Sequence, residues 1–192
     1  MFGINPVFRE LADEYAARGH CVLIPNLFWR DEVPGPLSYD GGHKEAWSRV
    51  HAFDFEHAGA DVGRAAGWLR NTGGVSGKVV VWGFCFSGPV AILAAARGGF
   101  DGAISFYGLG ISRWPQALAA LPCPAQLHYG LKDEHIPSAE IDAVRAAAKG
   151  NTRIEIFLYE GAGHSFFNKI RPTYDAEASR VAAKRTHTVL GV

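Results

Sequence analysis

The sequence is poor in several things, and each shortage excludes a class of function. It holds three cysteines in 192 residues. An odd, low count argues against a disulfide framework and for a reducing compartment where a free thiol persists, so a cytoplasmic location is expected. Neither sign of charge is in excess, since 19 Lys and Arg balance 19 Asp and Glu. Without a basic field, no nucleic-acid or anionic-membrane partner is expected. No apolar run approaches the ~20 residues that cross a bilayer. No basic stretch followed by an apolar one marks a secretory leader. The histidines show no His-x-x-x-His spacing and the cysteines no Cys-x-x-Cys spacing, so no metal is expected. Neither Gly-x-x-x-x-Gly-Lys-[Ser/Thr] nor Gly-x-Gly-x-x-Gly is present to cradle a phosphate-bearing cofactor, and no cofactor is expected.

What remains is an ordinary globular composition, with 48% hydrophobic and 20% charged residues. The length suits one domain with one full core. Helix and strand signals alternate. Asn5-Pro6 is a helix start, an N-cap followed by proline in the first turn, and Phe8, Leu11, Ala12 and Tyr15 follow at helical spacing up to Gly19. Cys21-Val22-Leu23-Ile24, stopped by Pro25, reads as a buried parallel strand. Residues 26–42 carry Pro34-Gly35-Pro36 and Gly41-Gly42 and read as a long loop. A helical stretch spans about His43 to Leu69, with a break near Phe53. Lys78-Val79-Val80-Val81-Trp82 is the strongest strand signal. Further strands are expected at Gly102–Phe106, Ala125–Tyr129 and Ile154–Leu158. Helices are expected over Val90–Ala96, Trp114–Leu121, Ser138–Ala148 and Thr173–Leu190. Strands separated by helices imply right-handed βαβ units and a mostly parallel sheet covered on both faces. Ligands of such sheets sit at the carboxyl ends of the strands.

The chemistry-bearing residues fall at those ends. After the strongest strand comes Gly83-Phe84-Cys85-Phe86-Ser87-Gly88 and then a helix. This is a Gly-x-nucleophile-x-Gly turn with Cys85 as nucleophile and serine in the second glycine position. The turn is tight, so larger side chains two positions either side would clash with strand or helix. A helix N-terminus favours thiolate over thiol, and the Phe86 N–H would face a developing oxyanion. The bland alternative is an inert buried cysteine, which is the reading for Cys21 and Cys123. Asp133 lies in Gly130-Leu131-Lys132-Asp133-Glu134-His135, and His164 in Glu160-Gly161-Ala162-Gly163-His164-Ser165-Phe166, each after a strand. The order Cys, Asp, His is that of α/β-hydrolases. His164 would act as base and then acid, and Asp133 would fix its tautomer. Glu134 and His135 remain as less favoured stand-ins. Trp47, Tyr107 and Phe166 are candidates to line a pocket.

With these residues in view, the chain resembles the dienelactone hydrolase family over nearly its whole length. The resemblance rests on Phe2-Gly3-Ile4-Asn5, Pro25-Asn26-Leu27-Phe28, Ala52-Phe53-Asp54, the Gly83–Gly88 turn, Phe106-Tyr107-Gly108 and Gly163-His164-Ser165-Phe166. It implies an α/β-hydrolase fold lacking the family's N-terminal strands. It also implies hydrolysis of a small ester or lactone through a thioester on Cys85. Three departures follow from the same comparison. The family carries His-Glu immediately before its Phe-Gly-x-Asn, whereas this chain opens at Met1 with no room for a strand before its first helix. An upstream segment is therefore expected to be missing, and only Met1 or Phe2 is left to supply the second oxyanion donor. The family prototype clamps a substrate carboxylate with two arginines, and the corresponding positions are His43 and Asn168. Neither offers a bidentate guanidinium, so an uncharged ester or lactone is expected. Third, Ser87 replaces a glycine. Two other classes stay open: a truncated or non-catalytic binding module with an exposed sheet edge, and a cysteine-dependent thioesterase. The expected assembly is a monomer or weak homodimer.

Overall fold

The computed structural model describes residues 1–31 and 35–191. Pro34, one of the turn signals of the expected long loop, lies outside the described residues. Four strands, β1 (Val80–Phe84), β2 (Gly102–Phe106), β3 (Ala125–Gly130) and β4 (Ile154–Tyr159), form one parallel sheet in the order β1-β2-β3-β4. The registers pair Val80 with Gly102, Ala103 with Ala125, and Ala125 with Ile154. β2 and β3 are buried along their whole length, which explains why neither alternates polar and apolar residues.

The helices cover both faces. α1 (Pro6–Ala16) begins where expected: the Asn5 side chain accepts the Phe8 N–H, and proline occupies the first turn. It meets the even-numbered side of β1, with Phe8 against Phe84 and Tyr15 edge-on to Trp82. α4 (Ser87–Ala96) packs on the opposite side of β1 and β2. The expected helix over 43–69 is two helices, α2 (His43–His51) and α3 (Phe55–Arg70). The break is chemical: Asp54 turns extended, and its carboxylate accepts the His57 N–H at 2.9 Å to cap α3. α3 packs on α4. The 114–121 region splits into a 3₁₀ turn (Ile111–Arg113) and α5 (Pro115–Ala119), which packs with α6 (Ser138–Ala148). α7 (Ala176–Leu190) starts three residues later than expected because Asp175 is its cap, accepting the Ala178 N–H; it packs on β2 and β3. Among the described residues, no helix is long and apolar enough to cross a membrane.

One expected strand does not form. Residues 21–24 join neither helix nor strand, and Val22 and Leu23 are 41% and 40% exposed. A strand exists only through its ladder. The segment and β1 line the same cavity, and among the described residues no ladder joins them.

The tight turn after β1 depends on glycine. A Cβ on Gly83 would sit 2.7 Å from the Ser87 carbonyl carbon and 2.9 Å from Gly88 Cα. Gly88 is equally crowded, against Gly108 and Ser105. Ser87 itself fits, so the steric demand falls on positions 83 and 88 instead of 83 and 87. Gly83→Ala is expected to destabilise the protein by about 3 kcal/mol in urea unfolding. Gly63→Ala, on an open face of α3, is expected to stabilise it by about 0.5–1 kcal/mol.

Candidate active site

Each strand end contributes one or more groups to the site. Cys85 follows β1, Tyr107 follows β2, Asp133 follows β3 and His164 follows β4. Three of the residues here are non-glycine with left-handed backbone: Cys85 (φ 53°), Tyr107 (φ 40°) and Ser165 (φ 64°). Such conformations cost about 1–3 kcal/mol each and persist where surrounding packing holds them. For Cys85 the hold is visible, since its N–H donates to the Phe106 carbonyl at 2.9 Å and its carbonyl accepts from Gly88 at 3.0 Å. The turn lifts the sulfur off the strand and aims it at the loops that follow β3 and β4.

The structure brings the three residues of the expected triad together. His164 Nε2 lies 3.1 Å from Cys85 Sγ, and His164 Nδ1 lies 2.7 Å from Asp133 Oδ2. The Asp133 side chain is fully buried. Its other oxygen accepts the His135 N–H at 2.8 Å, so both carboxylate oxygens are held. Of the stand-ins, Glu134 is exposed and His135 contributes backbone; its ring packs edge-on to His164 at 4.8 Å. Thr173 donates its hydroxyl to the His164 carbonyl and ties down the loop.

The electrostatics of the pair oppose burial and overcome it. Burial is the largest influence on Cys85 and pushes its thiol up. The hydrogen bond and charge of His164, aided by the Phe86 N–H, outweigh it and leave the thiol below its ordinary value. Burial likewise disfavours the His164 cation, but the bonds to Asp133 and Cys85 raise its pKa to about 9. Each partner thus favours the charged form of the other, with the thiol held below its ordinary value and the imidazolium above. Tyr107, buried beside it with its ring 5.2 Å from His164, is pushed well up by burial first and by Cys85 second. It remains a neutral phenol.

A cavity of about 610 Å³ reaches Cys85 and His164. Phe2, His43, Trp47, Tyr107 and Asn168 line it, as does Phe86. Phe2 packs on Tyr39 and on His43, at 4.7 and 5.2 Å between ring centroids. Trp47 is 43% exposed at the rim. Phe166 corrects an expectation: it is fully buried in the core against Tyr159 and Tyr107, away from the cavity wall. It follows the strained Ser165 and anchors the His164 loop from beneath. Sequence reasoning passed over Tyr39 and Arg171. The Tyr39 hydroxyl accepts from Asn5 (2.7 Å) and Asn168 (3.4 Å), and the Arg171 guanidinium lies 5.1 Å over its ring. Both line the cavity. Neither stands at a strand end, and their meeting joins positions 132 residues apart, so no local signal marks them.

A parallel sheet with a cysteine elbow, a histidine and an acid at successive strand ends defines an α/β-hydrolase. Comparison with known proteins narrows the class. The pattern of the dienelactone hydrolase family matches residues 1–191. A carboxymethylenebutenolidase of Pseudomonas putida is 29% identical over 188 residues, covering 96% of this chain and 79% of that protein. Carboxymethylenebutenolidase 1 of Cupriavidus pinatubonensis is 28% identical, covering 100% and 82%. Among solved structures, a dienelactone hydrolase-like promiscuous phosphotriesterase from metagenomic libraries superimposes with a TM-score of 0.82 at 18% identity, covering 99% of this chain and 82% of that one. The chain belongs to the dienelactone hydrolase family, a family of carboxylic ester hydrolases.

The raised His164 pKa gives a direct prediction. In an NMR titration the His164 ring should change protonation near pH 9. In Asp133→Asn, which removes the opposing charge, the midpoint should fall by about 1–3 pH units. A wild-type midpoint at the ordinary histidine value would contradict the charge-pair description.

Proposed function

We propose that this protein hydrolyses a small ester or lactone through a thioester on Cys85. The observation that carries the reading is the pair of contacts linking Cys85 to His164 and His164 to Asp133. The Cys85 thiolate attacks the ester carbonyl carbon, and the carbonyl π electrons move onto oxygen. The Phe86 N–H at the start of α4 faces that oxyanion, and the Phe2 N–H, which has no partner among the described residues, is the second donor. The intermediate collapses to the thioester as the C–O bond breaks and the His164 imidazolium protonates the departing alkoxide. His164, now neutral, takes a proton from water. The resulting hydroxide adds to the thioester, and Cys85 leaves as thiolate with the carboxylic acid. Asp133 keeps Nδ1 protonated throughout, so that Nε2 faces the sulfur.

The substrate is proposed to be uncharged at its acyl end, because His43 and Asn168 stand where a carboxylate clamp would need guanidinium groups. A second reading is favoured by one specific observation. Arg171 reaches the same cavity with its guanidinium stacked on Tyr39, and no acid pairs with it among the described residues. It offers an anionic acyl group a partner from a different position. Turnover of a neutral aryl ester and of its dicarboxylate half-ester, by wild type and Arg171→Met, separates the two. A preference for the neutral ester unchanged in Arg171→Met supports the first reading. A preference for the half-ester that Arg171→Met abolishes supports the second.

Cys85→Ala is expected to abolish ester turnover, and Asp133→Asn to lower kcat by about 10⁴-fold through loss of the correct tautomer. The pH profile of kcat/KM should fall as pH rises through about 9, where His164 loses the proton needed by the leaving group. Turnover that survives in Cys85→Ala would overturn the reading.

A further inference from the structure

The peptide that joins Cys85 to Phe86 carries the N–H that faces the sulfur, and its orientation is set from behind the active site. A trans peptide is planar, with its C=O and N–H pointing in opposite directions. Whatever fixes the carbonyl therefore also aims the N–H. The Cys85 carbonyl accepts from the Gly88 N–H at 3.0 Å and from the Leu109 N–H at 3.2 Å. The first bond belongs to the opening turn of α4, and the second comes from the loop after β2. On the strand side, the Ser87 hydroxyl accepts the Phe84 N–H (2.8 Å) and donates to the Phe84 carbonyl (2.9 Å).

The far end of this peptide is held through a side chain. Phe86 is 3% exposed, and it stands at the start of α4 without a side-chain cap bond. Three rings enclose its own: Phe53 edge-on at 4.6 Å, Phe55 at 5.3 Å and Phe28 stacked at 5.5 Å between centroids. The three come from two separate segments and are braced in turn. The Arg49 guanidinium lies 5.1 Å over Phe28, and that of Arg113 lies 4.9 Å over Phe55. Phe53 sits at the break between α2 and α3, where its N–H donates to Val50 and the Asp54 cap follows at once. An aromatic pair contributes about 0.5–1.5 kcal/mol beyond its buried area, so three together rival the hydrogen bonds of the turn. The φ torsion of Phe86 joins the peptide to the helix, and movement of the ring is passed through it to the plane of the N–H.

We propose that Phe53 is a positioning residue for the oxyanion donor: its ring, pressed edge-on against Phe86, holds the Cys85–Phe86 peptide with the N–H aimed at the sulfur and at the oxygen that turns negative during attack. The catalytic half of this inference rests on the proposed ester chemistry. The other half does not, because the N–H meets the sulfur before any substrate arrives. It is one of the groups that hold the Cys85 thiol below its ordinary value. A clamp that acts on this N–H acts on two quantities at once, the protonation of the thiol and the rate of the step that forms the oxyanion. Phe53 is not among the residues that line the cavity, whereas Phe28 and Phe86 are. Its loss should therefore lower kcat and leave KM almost unchanged. A ring that only filled space would change stability alone.

The test compares the full chain with Phe53→Leu, Phe53→Tyr and, as a control for stability, Ile141→Val in the buried face of α6. Each is titrated for thiolate absorbance against its own Cys85→Ala background, and each is assayed on a neutral aryl ester. In Phe53→Leu the thiol transition should move to higher pH, and kcat should fall by about tenfold or more with KM changed less than about twofold. Phe53→Tyr keeps the ring and should restore both. Ile141→Val should lower the melting temperature without moving the thiol transition. If Phe53→Leu fails to fold, Phe53→Met, which keeps most of the volume but not the ring, carries the same comparison. A thiol transition unmoved in the folded ring-less variant would overturn the proposal. So would a rise in KM at constant kcat, or an equal shift in Ile141→Val. A wild type that folds but turns over no ester would remove the esterase reading alone, and the titration, which needs no substrate, would still decide whether Phe53 aims the N–H.

Discussion

The structure depends on one constrained turn. Cys85 sits in left-handed backbone between a strand and a helix, and it can do so only where strand and helix nearly touch. Gly83 and Gly88 permit that approach, and the ladder bond from Cys85 to Phe106 fixes the turn against β2. Everything chemical follows from this geometry. The sulfur is raised to the level of the loops after β3 and β4, so Asp133 and His164 need no unusual reach. The same turn directs the Phe86 N–H toward the sulfur, where it helps stabilise the thiolate. The strain at Cys85, Tyr107 and Ser165 is confined to strand ends, and the buried interior of β2 and β3 supplies the packing that holds it.

The electrostatics show which effect wins. Burial alone would keep Cys85 a thiol and His164 neutral. A hydrogen bond between them, backed by a carboxylate with both oxygens occupied, reverses both tendencies. This is why the acid must be buried. An exposed carboxylate would be screened by water and would lose much of its influence on the imidazole. Glu134, one residue along, has the right charge and the wrong exposure.

The sheet and the three principal residues were legible because their signals are local. β2 and α6 match the residues read from the pattern, and the other strands differ by one or two positions. Cysteine between glycines after a β-branched run, and an acid and a histidine each after a strand, are statements about short windows. The failures concern long-range pairing. Cys21–Ile24 has the composition of a buried strand, but a strand requires a neighbour, and composition carries no information about whether one is present. Phe166 looked like a pocket residue because it is aromatic and adjacent to His164; the positive φ of Ser165 turns it into the core. Tyr39, Asn168 and Arg171 form one cluster from distant parts of the chain, and only the folded arrangement brings them together. Ser87 is the instructive intermediate case. Its small size was readable, but its role in satisfying both peptide groups of Phe84 depends on which way the β1 backbone faces.

The central claim is that the contact with His164 holds the Cys85 thiol below its ordinary pKa. The most direct measurement is the ultraviolet absorbance of the thiolate as a function of pH, taken as the difference between the wild-type protein and Cys85→Ala. The account predicts a thiolate that forms below the ordinary thiol pKa, with the transition moving to higher pH in His164→Ala. A thiolate that forms only at the ordinary thiol pKa, with or without His164, would contradict it.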